Sequence, residues 1–313
     1  MSSLSKSGVL DMKERLRGFF NITVTPFTAD GAIDTAALAE NIERELAVGV
    51  DGLLIGGTYG EFPTMTVEER ATLFRLVMDQ VGSRVPVMLC SAGSDVRVVR
   101  DLTVLAGELG GVPMITPPYV SEITDDQIVA FFRDMAPLSR TGALIYNAPG
   151  IGITLSAKLI ERLADIPEMV AIKQGDLTPT VIDQLVGALH GRVRLFCASD
   201  LAFLGPVAAG FDGISSTNSC AFPELILDSY RAMQRGDVTT AGALHRLWFP
   251  YRQLARRFGQ PQTVKAAMHA RGWTGGSVRL PLRDLSAAEA AAVRDVVATM
   301  AADARSRIET VTA

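Results

Sequence analysis

Residues 143–173, ALIYNAPGIGITLSAKLIERLADIPEMVAIK, decide the fold. The stretch opens on an apolar run, Ala143–Asn147 (ALIYN). It passes through a longer segment of helical periodicity and ends on a second apolar run, Met169–Lys173 (MVAIK). Runs that are apolar throughout, with no alternation, are what a parallel sheet covered by helices requires. Working outward, the same unit recurs at intervals of roughly 20 to 30 residues. Upstream lie Phe19–Phe27 (FFNITVTPF), Gly52–Gly57 (GLLIGG), Pro86–Ala92 (PVMLCSA) and Val112–Thr116 (VPMIT). Downstream lie Val193–Ala198 (VRLFCA) and Gly213–Thr217 (GISST), which makes eight strand candidates.

The segments between them carry helix boundary signals. Asp34 precedes TAALAENIERELAV, which stops at Gly49. Thr66 with Glu69, and Thr124 with Gln127, match the capping-box pattern. Eight βα units in succession predict an α/β protein with a closed (β/α)8 TIM barrel, the alternative being a doubly wound open sheet. After about Arg235 the rhythm stops, and Val238–Arg257, Pro261–Ala270 and Ser286–Ala304 read as Ala-rich helices. The expected organisation is therefore a lead-in over 1–17, a barrel over 18–235 and a C-terminal helical region over 236–313.

Composition narrows the function classes. The 313 residues are 48% hydrophobic and 20% charged, with a formal net charge of −4. That is globular composition without the basic footprint of a nucleic-acid binder. Cys90, Cys197 and Cys220 are widely spaced and lack a C-x-x-C pair, so they read as buried reduced thiols. MSSLSKSGVLDMKERLRG lacks a signal-peptide apolar region, and no apolar run approaches the ~20 residues of a membrane helix. The expectation is a cytoplasmic protein with no membrane partner.

In such a barrel, reactive groups come from the C-terminal ends of the strands and the loops that follow. Those positions hold Thr25, Thr58, Glu61, Thr116, Tyr119, Tyr146, Asn147, Lys173, Ser199 and Asp200, with Ser215 to Ser219 along the eighth strand. Of the five lysines (Lys6, Lys13, Lys158, Lys173 and Lys265), four fall in expected helices or the tail, where a solvated amine is the ordinary state. Lys173 ends an apolar strand. Burial there favours the neutral amine and makes it a nucleophile toward carbonyls. Position alone leaves a structural lysine, paired with Asp176 or Asp200, equally open. Tyr146, at the end of the preceding strand, tips the reading toward chemistry, because a phenol can shuttle the protons that imine formation and C–C cleavage need. The glycine-rich Gly56–Glu61 turn offers backbone N–H groups to a small anion, and it is not a G-x-G-x-x-G fingerprint.

Together these residues resemble the dihydrodipicolinate synthase and N-acetylneuraminate lyase family of lysine-dependent aldolases, from about Gly18 to about Ser219. Val24-Thr25-Pro26-Phe27 is similar to the family's first-strand ending. Gly57-Thr58-Tyr59-Gly60-Glu61 is similar to its G-[ST]-T-G-E loop, and Thr116-Pro117-Pro118-Tyr119 and Tyr146-Asn147-Ala148-Pro149 to its two tyrosine motifs. Ile172-Lys173 matches its Schiff-base lysine. The resemblance implies that Lys173 forms an imine with a 2-oxo acid such as pyruvate and that Tyr146 is the acid/base. It makes Thr58 the link to Tyr119, which in the family is often lent by a neighbouring subunit of a tetramer. It also implies that Gly57 and the amides of Thr58 and Tyr59 hold the oxo-acid carboxylate, and that Ile214 lines the pocket.

The departures concern the acceptor. Dihydrodipicolinate synthases carry an arginine shortly after the strand-five proline to clamp the aldehyde partner's carboxylate. Ile151 stands at that position here, and an aliphatic chain cannot replace a bidentate cation. Tyr59 replaces a small hydroxyl residue, and Gln174 replaces an acid. These changes point to a less charged acceptor pocket, for an apolar or aromatic aldehyde, and away from the lysine-biosynthesis enzyme. The expectation is a cofactor-free lyase joining or splitting a 2-oxo acid and an aldehyde, in a homo-oligomer (dimer or tetramer). A dehydratase, hydratase-aldolase or deaminase using the same imine is an alternative, as is a non-catalytic 2-oxo acid binding protein. A metal-dependent enzyme would need clustered ligands, and His190, His245 and His269 lie away from the strand ends.

Overall fold

The computed structural model describes residues 3–312, with side chains from residue 7 to residue 300, so Met1, Ser2 and Ala313 and the Lys6 side chain lie outside the described residues. Each of the eight runs forms a strand: β1 Gly18–Ile22, β2 Gly52–Ile55, β3 Val87–Cys90, β4 Val112–Ile115, β5 Ala143–Asn147, β6 Met169–Gln174, β7 Arg194–Cys197 and β8 Gly213–Ser216. They pair in chain order into a closed parallel barrel, in which β8 returns to β1 in the register Gly18↔Gly213 through Asn21↔Ser216. Closure excludes the open sheet. Every strand residue is buried, which is why the runs carry no polar alternation.

The chain divides into two compact units. The first comprises the described residues up to Asn21, Val50–Thr58 and Met65–Ser216. Its interior holds Phe20 and Phe196 edge to face, 4.9 Å between ring centroids. A Cβ on Gly213 would lie 2.4 Å from the Gly18 carbonyl oxygen and 2.6 Å from the Phe196 ring, so the seam between β8 and β1 requires glycine. The Thr66–Glu69 and Thr124–Gln127 capping boxes form as the sequence signals. The first strand is shorter than expected. It ends at Ile22, and Phe27 makes only single bridges, to Ile33 and Ser277. Pro26 has no N–H to donate to a ladder, so the extension toward Phe27 cannot pair continuously.

The second unit comprises Ile22–Gly49, Tyr59–Thr64 and the residues from Thr217 onward. Asp34 caps the helix Thr35–Val48 by accepting from the Ala37 N–H, and Gly49 closes it at φ 88°. The helix expected over Val238–Arg257 is two, Val238–Leu247 and Phe249–Phe258, because Pro250 cannot continue the first helix but suits the opening turn of the second. The helices Gln262–Ala270 and Ala287–Thr312 follow. No helix among the described residues is long and apolar enough to cross a membrane.

The helix Thr35–Val48 buries Glu45 together with Leu38 and Ile42. Burial holds the Glu45 carboxyl well above the usual carboxylate range, with Arg44 opposing the effect, and its Oε2 lacks a hydrogen-bond partner. A carboxyl group whose folded pKa is raised contributes least once pH exceeds its unfolded value of 4.5, because the unfolded chain then sheds a proton that the folded one keeps. Glu45→Gln is therefore expected to raise the melting temperature by about 2 °C at pH 8, with the gain shrinking toward pH 4. Thermal unfolding at the two pH values checks this, and a difference independent of pH would contradict it.

Candidate active site

The β5–β6 register places Tyr146 directly opposite Lys173, and Asn147 opposite Gln174. Successive strand residues face opposite ways, so Tyr146 and Lys173 share one face while Asn147 and Gln174 share the other. Lys173 Nζ lies 4.4 Å from the centre of the Tyr146 ring. The Tyr146 hydroxyl in turn hydrogen-bonds Thr58 Oγ1 at 2.7 Å. Both Lys173 and Tyr146 are only 4% exposed. Two neighbouring strands and the turn after β2 thus bring amine, phenol and hydroxyl together in one row.

The charge state of the row follows from its burial. Among the described residues no carboxylate lies within ion-pair distance of Lys173, so the structural pairing with Asp176 or Asp200 is not made. Burial pulls Lys173 down to about 8, against weaker opposing effects of Cys90, Cys197 and Asp200. The two thiols are no counter-charge at neutral pH, because burial pushes Cys197 up to about 12 and raises Cys90 as well. All three cysteines are buried and form no disulfide, as the sequence suggests. Asp200 accepts a hydrogen bond from Ser216 Oγ at 2.6 Å. A lysine near 8 keeps about a tenth of its amine neutral at pH 7, roughly 300-fold more than an ordinary lysine, the condition for attack on a carbonyl.

The remaining expected residues fall into place unevenly. Gly57 is buried, Thr58 half-buried and Tyr59 exposed; Thr58–Gly60 form a single 3-10 turn after β2. Tyr119 is 69% exposed, and no hydrogen bond joins it to Thr58 within the chain. Ile151 is half-buried in the loop after β5. Gly152 beside it has φ 127°, and a Cβ there would sit 3.3 Å from Tyr119 Cβ, so glycine lets this loop pass against the tyrosine. Ile214 is fully buried. Its neighbour Gly213 faces the Phe196 ring, and alternation along β8 therefore turns the Ile214 side chain away from the Lys173 face.

Gln174 requires a different account from the one its sequence position suggests. It is fully buried. Its Oε1 accepts from Asn147 Nδ2 at 2.9 Å, and its Nε2 donates to the Asp176 carbonyl at 2.8 Å. Asn147 itself clasps Leu155, accepting from its N–H at 2.9 Å and donating to its carbonyl at 3.2 Å. Gln174 thus braces the loop that carries Ile151, and a neutral amide serves because both of its faces are used.

Lys265 is the residue that sequence reasoning misplaced. Expected to be solvated, it is 1% exposed and pairs with Glu61 at 2.6 Å. The signal was present: Val264, Ala267 and Met268 on the same helix are all buried, so Lys265 lies within an apolar stretch. His245 is also buried and lies 2.6 Å from an Arg252 nitrogen. Among the described residues no group of three His, Cys, Asp or Glu side chains is arranged to hold a metal ion.

Comparison with known proteins gives this geometry its context. The profile of the Dihydrodipicolinate synthetase family matches residues 15–300. The chain belongs to that family. A 4-hydroxy-tetrahydrodipicolinate synthase of Ralstonia nicotianae is 29% identical over 275 residues, spanning 87% of this chain and 94% of the relative. The synthase 2 of Halalkalibacterium halodurans is 33% identical over 266 residues, spanning 83% and 89%. Among solved structures, a putative dihydrodipicolinate synthetase from Pseudomonas aeruginosa superimposes with a TM-score of 0.87 at 25% identity, covering 91% of this chain and 99% of that one. A dihydrodipicolinate synthase from Bacillus anthracis gives 0.85 at 28% identity, covering 90% and 97%. Members of the dihydrodipicolinate synthetase family are lyases of the pyruvate-dependent aldolase kind. Thr58, Tyr146 and Lys173 all lie within the matched residues.

Proposed function

We infer that this chain is a class I lyase that forms an imine between Lys173 and a 2-oxo acid such as pyruvate, and makes or breaks a C–C bond to an aldehyde. The observation that carries the reading is the buried Lys173 amine, held near 8 with no carboxylate in ion-pair reach and 4.4 Å from the Tyr146 ring centre. The neutral amine attacks C2 of the oxo acid, and Tyr146 relays to the forming oxygen the proton shed by the nitrogen and then a second one drawn from solvent, so that it leaves as water. The resulting iminium withdraws the electron pair of the C3–C4 bond while the C4 hydroxyl gives up its proton to the Tyr146–Thr58 pair. The aldehyde departs, the enamine takes a proton at C3, and hydrolysis returns pyruvate and free Lys173. Condensation is the same sequence reversed. The amides of the Thr58–Gly60 turn hold the oxo-acid carboxylate.

The aldehyde partner is neutral. Ile151 stands where a carboxylate-clamping arginine would be needed, and burial of an unclamped carboxylate beside an aliphatic chain is costly. This separates the chain from the synthases it resembles. The exposure of Tyr119, with no bond to Thr58 inside one chain, supports an assembly in which the Tyr119 of another copy completes the row.

The test is reductive trapping. Incubation with pyruvate and borohydride is expected to leave a secondary-amine adduct on Lys173, located by peptide mass analysis. Absence of an adduct across a panel of 2-oxo acids near neutral pH would end the imine reading. Offering the trapped-competent enzyme apolar, aromatic and carboxylate-bearing aldehydes then reads the acceptor, with the carboxylate-bearing ones expected to be turned over worst.

A further inference from the structure

Glu61 is the one described non-glycine residue with a positive φ, 62°. Such backbone strain persists only where the surroundings over-determine it, and it concentrates where geometry matters to function. The surroundings here are specific. Glu61 Oε1 accepts from Lys265 Nζ at 2.6 Å, and Oε2 accepts from the Arg279 backbone N–H at 2.9 Å. Lys265 Nζ places its other two protons on the carbonyls of Thr25 (2.8 Å) and Ser277 (2.7 Å), so all three are used. Arg279 reaches past Glu61 to the Thr64 carbonyl at 3.1 Å and to that of Gly31 at 2.8 Å. The turn itself is closed by Thr64, whose N–H and hydroxyl both bond the Glu61 carbonyl at 3.0 Å. Thr25 Oγ1 secures the Gly60 carbonyl at 2.8 Å.

A fully buried ion pair is a poor way to gain stability, since apolar residues of similar volume commonly do as well or better. What this one does is immobilise Gly60 to Thr64 at successive points, immediately after the Thr58–Gly60 turn. We propose that Glu61, Lys265 and Arg279 are positioning residues that fix the backbone over 60–64 and with it the amides at the end of the adjoining turn, which the oxo-acid carboxylate takes up. The inference rests on the imine reading above for what the turn binds. Misplacement of a binding group by about 1 Å costs on the order of 100-fold, so release of the turn acts on substrate capture more than on the amine.

The test uses Glu61→Gly/Lys265→Met and, separately, Arg279→Ala. Glycine accepts φ 62° without strain, and the double change leaves neither charge buried alone. Arg279 is half-buried, so its truncation is mild. The readouts are melting temperature, the pyruvate concentration that half-saturates borohydride trapping on Lys173, and amide exchange over residues 57–64. The double variant is expected to stay folded, to reach the parent's adduct yield at saturating pyruvate, and to need about tenfold or more pyruvate for half-saturation. Arg279→Ala is expected to shift it in the same direction by a smaller factor. Unchanged half-saturation in a folded variant, whatever its melting temperature, overturns the proposal. If the double variant does not fold, Arg279→Ala decides by the same criterion. If the parent itself forms no adduct, the imine reading fails, and amide exchange decides the positioning role: acceleration confined to residues 58–64 supports it, and unchanged exchange overturns it.

Discussion

Lys173→Met is expected to abolish trapping by pyruvate and borohydride completely and, at the same time, to make the protein harder to unfold. The first effect follows from removing the only nucleophile in the row of Lys173, Tyr146 and Thr58. The second follows from linkage. A lysine whose folded value falls from the ordinary 10.5 to about 8 disfavours the folded state wherever the unfolded chain holds a proton that the folded one resists. That cost is fully present below about pH 8 and disappears as pH rises through 10.5. At about 1.4 kcal/mol for each factor of ten, it amounts to roughly 3 kcal/mol at neutral pH. Methionine fills similar space without the charge, so the melting temperature at pH 7 is expected to rise by on the order of 5 °C. The same value sets the kinetics: in the parent protein, imine formation at low pyruvate is expected to climb about tenfold per pH unit up to about 8 and then level off. A Lys173→Met protein that melts below the parent at pH 7, or a rate that keeps climbing tenfold per pH unit well past pH 8, would show that the amine is charged in place.

Tyr146→Phe carries the second large effect. The ring stays, so the packing against Lys173 Nζ at 4.4 Å is kept, and only the hydroxyl shared with Thr58 at 2.7 Å is lost. The stability loss is then about 1 kcal/mol, that of one hydrogen bond. Proton transfer fails far more severely, by about 100- to 10,000-fold if the phenol is the acid/base. Deuterium uptake into the methyl group of pyruvate in heavy water measures this without knowledge of the aldehyde, because each exchange requires the imine to lose and regain a C3 proton. Trapping of the imine itself should persist, more slowly. Exchange at the parent rate in Tyr146→Phe would mean that the proton travels by another route. Thr58→Val should follow the same pattern with a smaller loss, since it removes the partner of the phenol and leaves the phenol in place.

Much of this protein was determined by its sequence alone. Apolar runs such as MVAIK and GLLIGG could be buried on both faces only in a helix-covered parallel sheet, and eight of them in series set the barrel. Strand-end position then singled out Lys173 and Tyr146, because a parallel barrel sends those ends to one rim. Helix starts at Asp34, Thr66 and Thr124 were equally local, since a cap and its target lie within one turn.

What only the tertiary structure decided was partnership and facing. Thr58 meets Tyr146 across 88 positions, and Lys265 meets Glu61 across 204. Periodicity reports whether a residue is buried but not which distant group satisfies it, so a lysine in a tail helix read as solvated. Alternation gives two faces to a strand, yet only ring closure says which face looks inward. For that reason Gln174, adjacent to Lys173 in the chain, proved to brace a loop on the opposite side. Local free energies write the elements into the sequence; long-range closure of the chain assigns their contacts.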